Sequence, residues 1–282
     1  SFNINPDAEW HDGRPISVED VVWTFNTLKS EGHPSFKIYY RDVELVERTG
    51  KRQVTFRFPK STNRELPLIL GQMTILPKHY WEGRDFKKTT LKPPLGSGAY
   101  RIKNFEAGRS ISYERVKKYW AAGLPVNKGQ SNFDEISYEY YRDRDVATEA
   151  FKSGAFDLRA ENQSKRWATA YDFPALNEGK VKKILIPHER PTGMQGFVFN
   201  TRKDFFSDPK VRLAINYAWD FEWTNKTLMY DAYKRTNSYF SNSELSSSGT
   251  LPGGEELKIL LKFKGKVPEQ VFDRVYKAPQ TD

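Results

Sequence analysis

The chain has 282 residues, enough for one large domain or two ordinary ones, and carries 45 basic against 36 acidic side chains, a net charge of +9. It contains no cysteine, which removes disulfides, thiolate metal sites and thiol nucleophiles from consideration. Hydrophobic residues make up 38% and aromatic residues 15%, ample for a packed core. No apolar run approaches the roughly 18–20 residues that a membrane-spanning helix needs.

The positive charge is dispersed. Lys87–Lys88, Arg115–Lys118, Lys180–Lys183 and Lys258–Lys266 form separate clusters with acidic residues between most of them. A nucleic-acid binder concentrates its charge in one patch, so no nucleic acid is expected as a partner. Long-range attraction of anionic groups on a small ligand fits the dispersed charge better. The aromatic residues serve ordinary packing, and part of them could line a ligand cleft.

In chain order, SFNINPDAEW (Ser1–Trp10) reads as a strand and a turn, not as a signal peptide. The missing initiator Met and the polar ending at Ala278–Asp282 are expected of an excised or trimmed chain. Ser17 followed by Asp20 is a capping box opening a helix, with Val18, Val22, Phe25 and Leu28 on the face turned to a sheet. Val54, Phe56 and Phe58 alternate as a strand, as do Ile111 with Tyr113 and Ile136 with Tyr138 and Tyr140. Asp145 opens a helix that Gly154 closes. Short apolar runs at 183–187 and 196–199 predict buried strands. Asp208-Pro209 starts another helix, with Val211, Ala214, Ile215 and Ala218 as its buried stripe. Ser241–Gly254, rich in Ser and Gly, predicts a long surface loop. Helices and strands interleave without a strict βαβ rhythm, which predicts a mixed α/β fold.

Catalytic and metal signatures are missing. His11, His33, His79 and His188 stand apart without HxxxH or HExxH spacing. No GxSxG elbow and no GxxxxGK[ST] loop occurs, and Gly96-Ser97-Gly98 lacks the third glycine of a dinucleotide fingerprint. Nothing singles out a general acid and base. The reading is therefore no catalytic residue, no metal and no cofactor. A peptide or cell-wall-fragment hydrolase is the alternative that this disfavours.

Four segments resemble one family. WHDGRPISVEDVVWTF (Trp10–Phe25) is similar to a motif of a turn Asp-Gly, a Pro-hydrophobic pair and a helix carrying Asp-Val. PPLGSGAYRIKNFEAGRSISYERVKKYW (Pro93–Trp120) resembles a G-T/S-G-x-Y hairpin ending in Tyr-Trp. FDEISYEYYRDRDVATEAFKSGAFDLR (Phe133–Arg159) resembles a strand–helix unit ending in S-G-x-x-D. GFVFNTRKDFFSDPKVRLAINYAWD (Gly196–Asp220) resembles N-T-x-x-x-P-F-x-D-x-R-V-R-x-A-x-x-x-A-x-D, with Lys210 in place of the usual Arg. Together they are similar to the large periplasmic oligopeptide-binding proteins of ABC importers, solute-binding protein family 5, with finer features closest to the YejA branch.

That resemblance implies a type II periplasmic-binding-protein fold in incomplete form, the chain being an internal portion of a longer protein. It implies residues 1–67 in a smaller lobe, 68–193 in most of a first large lobe, and 194–282 at the start of a second. Pro191, Thr192 and Gly193 would form the hinge. Tyr39, Tyr40, Ser97, Asn162, Met194, Gln195 and Phe197 are the ligand-binding candidates carried over by position. It further implies a periplasmic monomer that closes on an oligopeptide and delivers it to a membrane ABC permease.

Overall fold

The computed structural model describes residues 1–59, 63–247 and 249–281. They divide into two units, Ser1–Asp143 and Arg144–Asp282.

The first unit holds two antiparallel three-stranded sheets. Strands β1 (Phe2–Asn3), β2 (Leu45–Arg48) and β3 (Gln53–Arg57) form one in the order β1-β3-β2, with Val46 opposite Phe56. Strands β4 (Tyr100–Glu106), β5 (Ser110–Arg115) and β6 (Glu135–Glu139) form the other as a meander, irregular between Ile102 and Asn104. Helix α1 (Val18–Glu31) packs on the first sheet, flanked by α2 (Pro34–Tyr39), α3 (Leu66–Gly71) and α4 (Lys78–Trp81). Val18, Phe25 and Leu28 of α1 are buried with Val43, Val46, Val54, Phe56 and Leu66, and Val22 packs against them partly buried. This is the helix face expected from its 3.6-residue period.

The start of α1 is fixed by the expected capping box. The Ser17 hydroxyl accepts from the Asp20 backbone N–H at 3.2 Å, and the Asp20 carboxylate accepts from the Ser17 N–H at 2.9 Å. Asp20 does more than cap. Only 4% exposed, it also accepts from the Trp10 indole at 3.4 Å and from the backbone N–H of Lys78 at 2.8 Å. One turn on, the buried Thr24 hydroxyl accepts from Leu76 N–H at 2.9 Å and lies 3.3 Å from the Leu76 carbonyl, to which it donates. A buried polar group persists only with its partners satisfied, and these two residues tie the segment before α4 to α1.

The second unit is helical: α5 (Arg144–Lys152), α6 (Ser164–Thr169), α7 (Pro174–Asn177), α8 (Asp204–Ser207), α9 (Pro209–Tyr217), α10 (Phe221–Leu228), α11 (Gly254–Leu261) and α12 (Gln270–Asp273). Gly154 follows α5 with φ +80°, the left-handed geometry that favours glycine at a helix end. Gly98 takes no such conformation. Asp208 caps α9 by accepting from Lys210 N–H, with Pro209 as the first helical residue.

Three expectations fail in this unit. The runs 183–187 and 196–199 lie outside any strand, with Ile184, Leu185, Ile186, Phe197 and Val198 exposed. A strand exists only through pairing, and these β-prone residues find no partner strand among the described residues. The α9 stripe is not buried either, because Ala214, Ile215 and Ala218 face solvent and Val211 is only half-buried. The cap forms the helix locally, whereas burial of its stripe depends on a packing surface that the described residues do not supply.

Replacing Asp20 by Ala strands several donors at once, the Trp10 indole, Lys78 N–H and both groups of Ser17. The expected loss is about 2–4 kcal/mol, read as a lower urea midpoint by tryptophan fluorescence. Asp20→Asn keeps one carbonyl oxygen for Lys78 and should lose less than Asp20→Ala.

Candidate functional site

The candidate residues have different surroundings. Tyr39 ends α2 and is 55% exposed. Its neighbour Tyr40 turns inward and is 3% exposed, stacked on Phe36 with centroids 5.9 Å apart and tilted against Phe25 at 5.3 Å. Burial pushes the Tyr40 phenol above its ordinary pKa. Tyr40 thus serves the core of the first unit, and Tyr39 is the one available at the surface.

Ser97 is half-buried in the turn before β4. Its hydroxyl donates to the Glu9 carbonyl at 2.7 Å and accepts from the Trp120 indole at 2.9 Å. Beside it, His11 bonds Gly98 O through Nε2 at 2.8 Å, and its backbone N–H donates to Gly96 O at 2.8 Å. The Gly-Ser-Gly turn therefore joins the N-terminal turn to the end of the β4–β5 hairpin motif, with the serine hydroxyl fully engaged.

Asn162 is exposed, and its position follows from Glu161, which sequence reasoning passed over. The Glu161 side chain is 4% exposed. It accepts from Gln163 N–H and from the Tyr171 hydroxyl, each at 3.0 Å, and faces Arg159 at 3.5 Å and Arg166 at 3.7 Å. Arg159 also donates to Tyr171 at 3.0 Å, and Arg166 pairs with Asp145 at 2.7 Å. Burial works to raise the Glu161 carboxyl, but the hydrogen bonds from Gln163 and Tyr171 and the charges of Arg166 and Arg159 outweigh it and hold the carboxyl below its ordinary pKa. No motif announces this cluster, since its members are spread over α5, α6 and the loops beside them.

The hinge candidates lie on a segment outside any helix or strand. Thr192 donates to Ser241 O through both its backbone N–H, at 2.9 Å, and its hydroxyl, at 3.1 Å. Asn242 donates to His188 O and Arg190 O at 2.8 Å each. After Thr192 the anchoring stops. Among the described residues nothing hydrogen-bonds to residues 193–199, and a side chain built on Gly193 would meet no atom within 4 Å. Met194, Gln195 and Phe197 are exposed there, and Phe197 lies edge-on to Trp219 at 6.3 Å while remaining 84% exposed. Among the described residues no group of three or more His, Asp or Glu side chains could hold a metal ion.

Residues 1–270 match the model of the bacterial extracellular solute-binding proteins, family 5 middle. The chain belongs to this family. It is 46% identical over 288 residues to the probable peptide-binding protein YejA of Agrobacterium fabrum, covering 99% of this chain and 47% of that protein. It is 40% identical over 289 residues to the peptidoglycan-binding protein YepA of the same organism, covering 100% of this chain and 47% of that one. The chain thus spans about half the length of the curated relatives it matches. Among solved structures, NikA from Brucella suis in complex with Fe(III)-EDTA superposes with a TM-score of 0.70 at 18% identity, over 94% of this chain and 52% of NikA. The family, the YejA likeness and the type II binding-protein fold expected from the four motifs are all borne out, as is the incompleteness of that fold here. No helix among the described residues is long and apolar enough to cross a membrane.

The depressed Glu161 pKa sets a pH dependence. The unfolded chain takes up the proton first, so the stability Glu161 contributes is complete above its ordinary value of 4.5 and is lost as pH falls below that through the folded value. Urea midpoints measured from pH 7 to pH 3 should fall across that window. Glu161→Gln should lower the stability at pH 7 by about 3 kcal/mol, because Arg159 loses its facing carboxylate and Arg166 keeps Asp145 alone, and should flatten the acid slope. Asp12, whose carboxyl also lies below its ordinary value, leaves a residual slope in the variant.

Proposed function

We propose that the protein containing this chain is a periplasmic solute-binding protein, acting as a monomer, that captures oligopeptides or peptide-like solutes and hands them to a membrane ABC permease. The observation that carries this reading is the open backbone of residues 193–199. Among the described residues its N–H and C=O groups take no hydrogen bond, and it carries the exposed Met194, Gln195 and Phe197. An extended peptide supplies the complementary groups, so main-chain hydrogen bonds give affinity without dictating sequence, and the flanking side chains meet those of the peptide. Tyr39 and Asn162 are further candidates for contact, whereas the Ser97 hydroxyl and the Tyr40 ring already have internal roles.

Family membership supports solute capture, and the names of the two relatives support a solute with a peptide backbone. The net charge of +9 favours acidic members of that class through long-range attraction. Residues 191–193 suit a pivot, because the chain is anchored up to Thr192 and unhindered from Gly193 onward. Lobes at 1–67, 68–193 and 194–282 remain part of this reading, alongside the two units divided after Asp143.

Calorimetric titration of the full-length protein with tri- to pentapeptides, including an acidic cell-wall tripeptide, tests the proposal. Saturable binding is expected, weakened at least tenfold by N-methylation of alternate peptide bonds and several-fold by Gln195→Ala. Absence of heat with every peptide up to millimolar concentration would sink it. Chromatography of the same samples should return the peptides intact, and cleaved products would favour the hydrolase instead.

A further inference from the structure

Residues 84–92 of the first unit, between α4 and β4, carry Arg84, Lys87, Lys88 and Lys92 against Asp85 alone. All four cations are exposed, and none of them makes an ion pair among the described residues. Their neighbours do pair, Lys78 with Glu82 at 3.5 Å and His79 with Asp12 at 2.8 Å. Between Lys88 and Lys92 stands Leu91, 68% exposed. The segment is nonetheless well anchored. Phe86 packs against the core of the first unit and lies edge-on to Trp81 at 5.5 Å and to Trp23 at 6.4 Å. The Arg84 guanidinium lies 4.0 Å from the centroid of the Tyr80 ring, and the Tyr80 hydroxyl donates to Pro93 O at 2.7 Å. The Asp85 carboxylate accepts from Lys87 N–H at 3.0 Å, and the Thr90 hydroxyl accepts from Lys92 N–H at 3.0 Å. A framework tied to the core at one end and to Tyr80 at the other thus keeps like charges close together with little counter-charge to offset their repulsion.

We propose that residues 84–92 dock on a membrane surface bearing anionic phospholipid headgroups. Lysine ammoniums are compact point charges on flexible stems, suited to phosphates whose positions are not fixed, and each cation near such a surface multiplies the affinity about fivefold. Leu91 decides between a lipid surface and an acidic protein face. Flanked by cations, it can enter the acyl boundary while the lysines stay among the headgroups, whereas an acidic protein face would offer it only charge. The other basic stretch with exposed apolar residues, 258–266, is less suited, because Lys258 pairs with Glu255 and Glu256 lies beside them. The inference rests on the reading above only in placing the protein beside a membrane, and no peptide enters it.

Co-sedimentation of the full-length protein with lipid vesicles, in the absence of peptide, tests the proposal. Phosphatidylcholine vesicles with about 30% phosphatidylglycerol should bind it at least tenfold more tightly than pure phosphatidylcholine at an ionic strength of about 0.05 M. That binding should fall about tenfold by about 0.3 M salt. The triple variant Lys87→Glu, Lys88→Glu, Lys92→Glu should bind at least tenfold more weakly, and Leu91→Ser about threefold more weakly with its salt dependence unchanged. Lys262→Glu, Lys264→Glu, Lys266→Glu changes the net charge by the same amount and should bind as the parent does. Melting temperatures report whether each variant is folded, and glutamine at positions 87, 88 and 92 replaces the first triple variant if it is not. No binding to the anionic vesicles, equal binding to the neutral ones, or equal losses in the two triple variants would each overturn the proposal. So would a Leu91→Ser variant that binds like the parent, which would point to an acidic protein partner instead. Peptide titration of the same samples reports separately on solute capture, so either conclusion can fail without the other.

Discussion

The first unit depends on a single buried carboxylate. Asp20 begins as an ordinary N3 residue of α1, placed by the Ser17 cap, and its two oxygens then reach beyond the helix. One oxygen closes the cap and meets the Trp10 indole, and the other holds the backbone of Lys78 at the start of α4. A helix N-terminus carries unsatisfied N–H groups and partial positive charge, so an anion there is favourable even when buried. The same group therefore starts the helix, fixes the turn before it and docks a segment 58 residues away. Thr24 repeats the device one turn later with Leu76, and the apolar face of α1 is thereby set in one rotation over β2 and β3.

The second unit is held differently. Its buried charge, Glu161, faces two arginines and a tyrosine rather than a helix terminus, and the elements it joins are short. Around it, many large apolar side chains stay exposed, Leu185 at 81% and Val198 at 94% among them. A charge network fixes geometry through directional bonds but adds little burial, whereas the first unit combines its hydrogen bonds with a closed apolar core. This difference accounts for the open backbone and exposed side chains of the second unit among the described residues.

What could be read from the sequence follows the range of each interaction. Ser17 with Asp20, Asp208 with Pro209, and Gly154 are local devices whose partners lie within a turn, and each takes the predicted form. The alternation in β3, β5 and β6 was also legible, because each strand lies next to a sheet partner supplied by a nearby segment. Among the described residues, 183–187 and 196–199 carry the same composition without a partner strand, and α9 carries a stripe without a surface to bury it. Composition registers the tendency of a residue and is blind to whether its complement is present. Glu161 was illegible for the same reason, since its four partners come from positions that no spacing rule connects.

The site residues show how a family motif divides its labour. Within the Gly-Ser-Gly turn, Ser97 spends its hydroxyl on Glu9 and Trp120, and His11 on Gly98 and Gly96 closes the same junction. His11 of the first resembling segment thus bonds to the Gly-Ser-Gly turn of the second inside one unit. Such residues cannot be exchanged without leaving donors stranded, yet none of them presents a free group to a solute. Among the described residues, 193–197 make no comparable internal bonds. The motifs at this junction therefore report the scaffold, through bonds that each partner needs.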